Sequence, residues 1–404
     1  MKKTKMRKIC WLIVIIIIAS LKDVSATDLA GLIDLSKQHP EILKVRERLT
    51  AQKAKIEKVQ VIPDPMIGVG LGKTEGMTEG SLMFQQAFPY PGKLSLMGEK
   101  EKRQLKMLET ELSAITLEKI AQTKKDYYEL FWVNKSIEIT NRTKEHLKHI
   151  EGIANAMYAT GMIPQTDILR IQTEISMQTE RLIMLEAKKE QASYHLLWFS
   201  TGISPEKDTI PIDMPAELTL LESREYAELQ RIALENSPML KMVEYQTQMG
   251  EKEVELAKKE FKPDFVSQAE LMISGNWSVR LGIMYPLYKD KKQKNALLEI
   301  EANLSATKKE YEQKKLELLL MLKESHLMAK STLTNLNLYK TAIIPQLNLT
   351  YTSALSNYKT GKIDFLMMFD TIMRLQEGEL RYYELLTEYG KAMAEIERLT
   401  GGGL

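Results

Sequence analysis

Few residues of this sequence stand at spacings that could carry out chemistry. The five histidines are scattered, and only His146 and His149 lie three residues apart, a spacing that could hold a metal ion with a third ligand. The neighbouring Glu145 and Glu151 are ordinary helix-surface charges and do not complete such a set. We therefore expect no metal site, no catalytic residues elsewhere and no cofactor, which argues against an enzyme.

Methionines and glycines suggest two further chemistries. The chain has 23 methionines, and thioether sulfur is a ligand for copper(I). Most of these methionines fall at helical apolar positions, where the usual role of methionine is to fill a core. Gly68, Gly70 and Gly72 alternate with apolar residues. Because alternation is the pattern of a strand, we do not interpret these glycines as a phosphate-binding loop.

The first 26 residues have the three parts of a secretory signal peptide. A basic start precedes an apolar run of about eleven residues and the sequence Val-Ser-Ala, which predicts cleavage after Ala26. The run is shorter than the roughly 20 residues of a membrane-spanning helix, although a retained anchor is the alternative. The only cysteine, Cys10, precedes this run, so the mature chain is predicted to have no thiol and no disulfide.

The predicted mature chain has an unusual composition for a globular enzyme. The sequence has a net charge of +2, and residues 1–26 contribute six basic side chains and one aspartate, a local charge of +5. The remainder is therefore near −3, so nucleic acid is not expected as a partner. Glycine, proline and aromatic residues are few, whereas lysine, glutamate, leucine and methionine are abundant, which is typical of long helices.

Two similar hexapeptides indicate that the chain is internally duplicated. Residues 158–163 read YATGMI and residues 358–363 read YKTGKI, two hundred positions apart. Other segments recur in the same order, including Pro63-Asp64 and Pro263-Asp264. The predicted organisation is a signal peptide (1–26), a first repeat (27–202), a linker (203–221), a second repeat (222–401) and a short tail (402–404).

Both repeats have long stretches with the pattern of helices. We expect a helix of about 35 residues before each Pro-Asp pair, followed later by two longer helical stretches. These stretches cover about 93–159, 164–199, 290–359 and 363–399. A helix of 67 residues would be about 100 Å long, so these helices must pack as extended coiled coils. Gly161 and Gly361 are predicted to form the tips of helical hairpins.

The segments after the Pro-Asp pairs alternate between apolar and small or polar residues. This period of two predicts two β-hairpins, over about 64–89 and 264–286, with Ile67, Val69 and Leu71 on one face. Each strand is about 9–10 residues long, which suits a tilted strand that crosses a bilayer. Four strands cannot close a barrel, so insertion would require several chains to pool their strands. A soluble hairpin with one buried face is the alternative.

The whole predicted mature chain resembles the TolC-type outer-membrane efflux family. The resemblance is carried by the duplication and by short motifs in a fixed order. These motifs are PDP (63–65), FPYPGK (88–93), YPLY (285–288), IPQ (344–346), YKTGKIDFLMMFD (358–370) and ERLTG (397–401). In this pattern, the exits from strand to helix are marked by Pro89, Pro91, Gly92 and Pro286.

The resemblance implies a mainly α-helical fold with a small membrane β part. A homotrimer would pool four strands per chain into one 12-stranded barrel in the outer membrane of a Gram-negative bacterium. Long coiled-coil helices would continue as an α-barrel in the periplasm. The implied partners are outer-membrane lipid, a periplasmic adaptor (membrane fusion) protein and an inner-membrane pump. The FPYPGK form is most similar to members paired with heavy-metal or cation pumps.

The function implied by the resemblance is the passive exit duct of a tripartite efflux system. The exit duct of a type I protein secretion system uses the same architecture and is an alternative. A periplasmic coiled-coil adaptor without a pore is another. The sequence does not distinguish these three functions.

The resemblance also implies a constricted entrance at the hairpin tips. Some members of the family narrow the tunnel mouth with two aspartates shortly after the second hairpin glycine. The later aspartate matches Asp370, the earlier position is occupied by Met367, and Asp364 lies nearby. A threefold ring of Asp370 would attract cations. The alternative is an exposed carboxylate that the dipole of its helix stabilises.

Overall fold

The computed structural model describes residues 27–74, 77–202, 212–215, 217–218 and 224–402. The predicted signal peptide, most of the predicted linker and the end of the predicted tail lie outside these ranges. The chain divides into two compact units. The first lies within residues 1–40, 116–230 and 321–404, and the second within residues 41–115 and 231–320. Each unit therefore draws on both sequence repeats.

Helices account for most of the described residues, and the predicted mainly helical fold with very long helices is confirmed. In the first repeat they are α1 (Leu29–Ser36), α2 (Pro40–Gln60), α3 (Lys93–Ala159), α4 (Gln165–Tyr194) and the π-helical segment π1 (His195–Ser200). In the second they are α5 (Tyr226–Asn236), α6 (Pro238–Lys259), α7 (Lys292–Leu338), π2 (Tyr339–Ile343), α8 (Ile344–Lys359) and α9 (Phe365–Leu399). Within the described ranges, none of the helices is long and apolar enough to span a membrane.

A proline divides the first helical region of each repeat. The expectation of single helices of about 35 residues before the Pro-Asp pairs is therefore wrong. Pro40 is the first residue of α2, and Pro238 is the first residue of α6. Proline has no amide hydrogen to donate, and its ring clashes with the preceding turn of a helix. It is tolerated at the first position of a new helix, so each region continues as a second helix.

The long helical region of the second repeat is also interrupted. Five residues in π-helical conformation, Tyr339–Ile343, join α7 to α8. Pro345, the second residue of α8, cannot donate a hydrogen bond to the Thr341 carbonyl four residues earlier. A π turn is a common local response to a defect in a helical ladder. The expected single helix over 290–359 therefore consists of two α-helices, whereas α3 runs through its 67 residues without a break.

The four strands form one antiparallel sheet in the second unit, in the order β1-β2-β3-β4. They are β1 (Met66–Thr74), β2 (Met77–Phe88), β3 (Asp264–Met272) and β4 (Trp277–Met284). The predicted hairpins are joined because β2 of the first repeat pairs with β3 of the second, which places Phe84 opposite Ala269 and Phe88 opposite Phe265. The strands β1 and β4 are the edges of the sheet.

Two apolar clusters stabilise the first unit. One, here called the tip cluster, joins α3, α4, α8 and α9 close to the hairpin glycines; its fully buried members include Leu147, Ile150, Ile171, Tyr358 and Met368. The other is built around Leu32, Tyr127, Leu130, Leu196 and Leu197. Ile212, from the predicted linker, packs against this second cluster and forms a parallel β-bridge with Thr27.

Candidate functional site

One face of the sheet is apolar across all four strands. Within one row, Val69 lies opposite Leu82, Leu82 opposite Leu271, and Leu271 opposite Trp277. The exposed members of this apolar strand face are Ile67, Val69, Leu71, Leu82, Phe84, Phe88, Phe265, Leu271, Trp277, Val279, Leu281 and Ile283. Val69, Leu71 and Leu281 each expose 85% or more of their surface. A contiguous patch of this size is typical of an interaction surface.

The opposite face of the sheet carries small and polar side chains together with four methionines, Met66, Met83, Met272 and Met284. Gly68 and Gly70 lie on this face of β1, and one cross-strand row joins Gln85, Gln268 and Arg280. The Arg280 guanidinium donates a hydrogen bond to the Glu270 carboxylate, with 2.9 Å between Nη2 and Oε2. Because side chains alternate along a strand, the sheet is amphipathic, with an apolar surface opposite a more hydrophilic one.

The exit from β2 to α3 is held by a buried lysine. Gly92 has a left-handed φ of 87°, which glycine adopts at low cost. The adjacent Lys93 side chain is almost fully buried, and its ammonium lies 2.9 Å from Asp264 and 3.2 Å from Glu260. Asp264 also accepts a hydrogen bond from the Tyr90 amide at 2.6 Å. The first residue of β3 thus fixes the end of β2 and the start of α3.

Prolines occupy both exits from the sheet, but the two exits differ in exposure. The Pro91 carbonyl, two residues after Pro89, accepts a hydrogen bond from the Lys259 ammonium at 3.0 Å. Pro286 follows β4, and Tyr288 beside it exposes 77% of its surface. The first exit therefore has exposed residues at Pro91 and Gly92 beside the buried Lys93, and the second offers exposed aromatic and apolar side chains.

Both hairpin glycines form the same backbone turn. Gly161 and Gly361 have left-handed φ values of 75° and 67°. The amide after each glycine donates a hydrogen bond back to the carbonyl five residues earlier, from Met162 to Met157 and from Lys362 to Asn357, at 2.9 Å in both. This Schellman motif satisfies carbonyls at a helix end and requires the left-handed conformation at the glycine.

The two tyrosines that precede these turns have different surroundings. Tyr358 is fully buried in the tip cluster, and among the described residues its hydroxyl has no hydrogen-bond partner. Burial, with a smaller contribution from the Asp167 carboxylate, raises the pKa of Tyr358 to about 12. Tyr158 instead exposes 46% of its surface. Equivalent positions of the two repeats therefore serve as a core residue in one hairpin and a surface residue in the other.

The entrance candidates lie in the first turns of α9. Asp364 is the N-cap of this helix and accepts a hydrogen bond from the Met367 amide at 2.9 Å. The Met367 side chain is mostly exposed, as is that of Leu366. The Asp370 carboxylate pairs with the Arg374 guanidinium at 2.8 Å, and both side chains are mostly exposed. Asp364 has a clear structural role, whereas Met367 and Asp370 lie on an exposed face of α9.

One histidine of the pair in α3 contacts a tyrosine. His146 Nδ1 lies 2.9 Å from the Tyr351 hydroxyl. Burial lowers the pKa of His146, and the positive charge of Arg142 and the neighbouring His149 act in the same direction. No group of three histidine, cysteine, aspartate or glutamate side chains with the geometry of metal ligands occurs within the described parts of the chain.

Sequence reasoning missed the contacts that hold the first exit. The repeat alignment matched Asp264 to Asp64, but it could not show that Asp264 binds Lys93 across the sheet. The sequence signal for this contact was a lysine directly after the Pro-Gly turn, together with an aspartate at the start of a strand. The burial of Tyr358 likewise depends on side chains from other helices, which a periodic pattern does not identify.

No family model and no curated protein sequence matches this chain. Solved structures match it over almost its full length. The outer-membrane channel OprN is 19% identical, with a TM-score of 0.80, over 93% of this chain and 90% of its own. The outer membrane protein VceC of Vibrio cholerae is 17% identical, with a TM-score of 0.79, over 93% and 96% of the two chains. The MtrE outer membrane channel of Neisseria gonorrhoeae, solved in its open state, is 14% identical, with a TM-score of 0.77, over 93% and 89%.

At these sequence identities, the similarity establishes the fold. The chain has the TolC-type fold of outer-membrane channels, with long helices and a four-stranded antiparallel sheet. The resemblance found in the sequence is thereby confirmed at the level of the fold, including the mainly helical class with its small β part.

Proposed function

We propose that this protein is the outer-membrane exit duct of a tripartite efflux system. It conducts substrates passively from a periplasmic adaptor and an inner-membrane pump to the exterior, and it does no chemistry of its own. The apolar strand face carries this proposal, because it is fully displayed on a single chain whose fold is that of outer-membrane channels.

The dimensions and pattern of the strands support insertion into a bilayer. The four strands contain 9, 12, 9 and 8 residues, close to the roughly 9–11 residues of a tilted membrane strand. Alternation of apolar and hydrophilic side chains is the pattern of a barrel with lipid outside and water inside. Trp277 and Tyr285 lie at the ends of β4, where aromatic side chains favour the membrane interface.

The edges of the sheet support assembly of several chains. The strands β1 and β4 are edges, and unpaired backbone groups are very costly in hydrocarbon. Pairing of β4 of one chain with β1 of the next removes these edges. Three chains then supply twelve strands to one closed barrel. The protein is accordingly a homotrimer in the outer membrane of a Gram-negative bacterium, with its helical part in the periplasm.

The remaining elements receive roles from the same proposal. Residues 1–26 direct export, the repeats 27–202 and 222–401 each supply one strand pair and one helical hairpin, and residues 203–221 link them. The hairpin tips at Gly161 and Gly361 form the periplasmic entrance, where Asp370 faces the substrate path. The FPYPGK exit, which contains Pro89, Pro91 and Gly92, favours a heavy-metal or cation pump as the partner.

The first test compares two substitutions on opposite faces of the sheet. Leu281→Arg places a charge on the apolar strand face and should cost about 2–4 kcal/mol in a bilayer. Ser81→Arg places the same charge on the hydrophilic face. Wild type and Ser81→Arg should be extracted from the outer membrane as particles of three protein masses by light scattering, and should conduct in a planar bilayer. Leu281→Arg should yield much less of this particle.

Other results would contradict the proposal. A soluble monomer or dimer without conductance would show that the strands do not enter lipid, and would favour a periplasmic adaptor. Equal yields of both arginine variants would show that the apolar strand face does not contact lipid. A conducting trimer that is recovered with a protein-secretion pump would assign the duct to type I secretion instead of efflux.

A further inference from the structure

The hydrophilic face of the sheet carries an unusual concentration of methionine. Met66, Met83, Met272 and Met284 all lie on it. Met66 and Met284 expose 61% and 59% of their surface, so they do not fill a core within this chain. In the proposed barrel this face lines the water-filled lumen. We propose that Met66 and Met83 of one copy, together with Met284 of the next copy, bind a soft monovalent metal ion such as copper(I) or silver(I).

The two hairpins of the sheet have the same register. The two Pro-Asp pairs are 200 positions apart, and the first prolines after β2 and β4 are 197 positions apart. Residues of β3 therefore follow their counterparts in β1 by 200 positions, and residues of β4 follow those in β2 by 197. With these shifts, the pair Val266–Gly282 of the second hairpin corresponds to the pair Met66–Gln85 of the first, and the sheet contains both pairs. The repeats thus correspond residue by residue across their strands.

The same correspondence predicts how two copies meet in the proposed barrel. Within one chain β2 pairs with β3, and Ala87 lies opposite Val266. The counterparts of these two residues are Met284 in β4 and Met66 in β1. Pairing of β4 with β1 of the next copy in this register places Met284 directly opposite Met66 of that copy. Residues in such a pair have their Cβ atoms about 4.5–5.5 Å apart.

A third methionine lies beside this pair, where the backbone leaves room for it. Met83 of β2 is opposite Gly68, which follows Met66 by two residues on the same strand. The terminal methyl of Met83 lies 3.2 Å from the position that a Cβ on Gly68 would take. The Gln268 amide donates a hydrogen bond to the Met83 sulfur at 2.9 Å, which holds this side chain in place. By the same correspondence Gly282 lies opposite Gly68 across the junction, so no side chain separates the three thioethers.

Three thioethers favour a soft ion over a hard one. Thioether sulfur is a ligand for copper(I), whereas magnesium and calcium require oxygen ligands. Both carboxylates that lie opposite these methionines are already in ion pairs, Asp264 with Lys93 and Glu270 with Arg280. The expected absence of a metal site concerned histidine and carboxylate ligands, so it does not apply to a site made of thioethers.

Such a site suits a duct that must release what it binds. Conduction requires binding that is strong enough for entry and weak enough for exit, and uncharged ligands on an open lumen wall meet both conditions. The threefold barrel would carry three identical sites, one at each junction between copies. This inference rests on the proposed function and its homotrimer, and it assigns soft monovalent metal ions as the substrate class.

Silver(I) is the probe, because it shares the ligand preference of copper(I) and does not change its oxidation state in buffer. The predicted mature chain has no thiol that would compete for it. The trimer in detergent is titrated with silver nitrate in chloride-free buffer, followed by calorimetry. Met66→Leu and Met284→Leu keep a similar volume without the sulfur, and each should bind one silver ion per chain fewer than wild type. Met272→Leu is the matched control: Met272 lies on the same face but opposite Ser81 on β3, so silver binding should be unchanged.

Mixed trimers test whether the ligands come from different copies. Chains with Met66→Leu and chains with Met284→Leu are co-expressed with different affinity tags, and trimers that carry both tags are purified. Each such trimer has one junction at which the Met66→Leu chain supplies β4 and the Met284→Leu chain supplies β1. Both methionines are present at that junction, so a mixed trimer should bind one silver ion more than a homotrimer of either variant.

Three results would overturn the site. The first is a conducting trimer in which Met66→Leu and Met284→Leu bind as much silver as wild type. The second is an equal loss of silver binding in Met272→Leu, which would indicate unspecific binding to thioethers. The third is a mixed trimer that binds no more silver than the two homotrimers, which would exclude a site at the junction. All three leave the proposed duct intact, whereas a monomeric particle by light scattering would overturn the site and the duct together.

Discussion

The two hairpin tips share a backbone and differ in what surrounds it. Gly161 and Gly361 make the same turn with the same hydrogen bonds. The preceding tyrosine is exposed in the first hairpin and fully buried in the second. A turn depends on a few neighbouring residues, so a repeated hexapeptide reproduces it. Side-chain burial depends on distant helices, so it can diverge while the hexapeptide stays nearly the same.

The helices that lead into and out of the tips differ in the same way. The first tip is reached by the unbroken α3, and the second by α7 and α8 with a π turn between them. After the tips, α4 begins after Pro164 without a side-chain cap, whereas Asp364 caps α9. The second hairpin therefore has more specific local contacts around its turn. Substitutions at matched positions can separate the shared backbone from these differing contacts.

The largest difference is expected at the tyrosines. Tyr358→Ala removes a buried aromatic ring and should cost about 3–5 kcal/mol. Tyr158→Ala removes a half-exposed ring and should lie within about 0.5 kcal/mol of wild type. The midpoint of thermal unfolding in detergent, followed by circular dichroism, measures both. Tyr358→Phe is the control: it removes a buried hydroxyl that has no described partner, so it should be neutral or stabilising. If Tyr358→Phe lowers the unfolding midpoint as much as Tyr358→Ala, the lost stability comes from a missing hydrogen bond instead of lost packing.

Substitution of either hairpin glycine should lower the free energy of unfolding by the same amount, because the turn itself is the same. Gly161→Ala and Gly361→Ala force an ordinary residue into the left-handed region, at about 1–2 kcal/mol each. A Cβ has open space at Gly161 and only an ordinary contact with Met157, at 3.9 Å, at Gly361, so crowding adds nothing. Gly152→Ala, inside α3 and also in open space, should instead stabilise by about 0.5–1 kcal/mol. A clear difference between the two hairpin variants in unfolding midpoint would contradict the shared turn.

The cap of α9 should have a smaller effect. Asp364→Ala removes the acceptor for the Met367 amide and should cost about 1 kcal/mol. Asp364→Asn keeps an acceptor oxygen and should retain most of that stability. Hydrogen exchange of the amides in the first turn of α9 is the direct measurement, since it reports local opening. Equal exchange in the alanine and asparagine variants would show that the side-chain cap does not hold this turn.

Local patterns predicted much of this architecture, because they depend on neighbouring residues. The bounds of α3 agree with the predicted 93–159, since the Pro-Gly turn before it and Gly161 after it both stop a helix. The alternation of Ile67, Val69 and Leu71 placed them together on one face of β1. The same alternation could not predict that β2 pairs with β3. It is equally compatible with two hairpins that do not pair with each other.

Contacts between residues far apart in the sequence account for most of what the patterns could not show. Lys93 and Asp264 are separated by 171 positions, and only the assembled sheet brings their charges together. The breaks in the helices at Pro40 and Pro238 could have been predicted, because each proline stands inside a helical pattern. Among the entrance candidates, the cap formed by Asp364 follows a known local rule, whereas the surroundings of Asp370 in an oligomer do not follow from one chain.

The smallest effect on the free energy of unfolding is expected at Asp370, where a substitution changes only the charge of an exposed surface. Asp370 pairs with Arg374 on an exposed surface, and such pairs contribute little to folding. In a threefold ring, each carboxylate would be accompanied by a guanidinium, so the entrance should be only weakly selective for cations. Arg374→Gln should therefore raise cation selectivity, and Asp370→Asn should lower it.

The reversal potential across a planar bilayer in a potassium chloride gradient measures this selectivity. Both shifts should shrink in 1 M salt. The screening length there is about 3 Å, compared with about 8 Å in roughly 0.15 M salt. The unfolding midpoint should stay at the wild-type value in both variants, which separates an electrostatic effect from a structural one. Opposite shifts of the reversal potential would place the pair beside the conduction path. Unchanged potentials in both variants would remove Asp370 from the entrance.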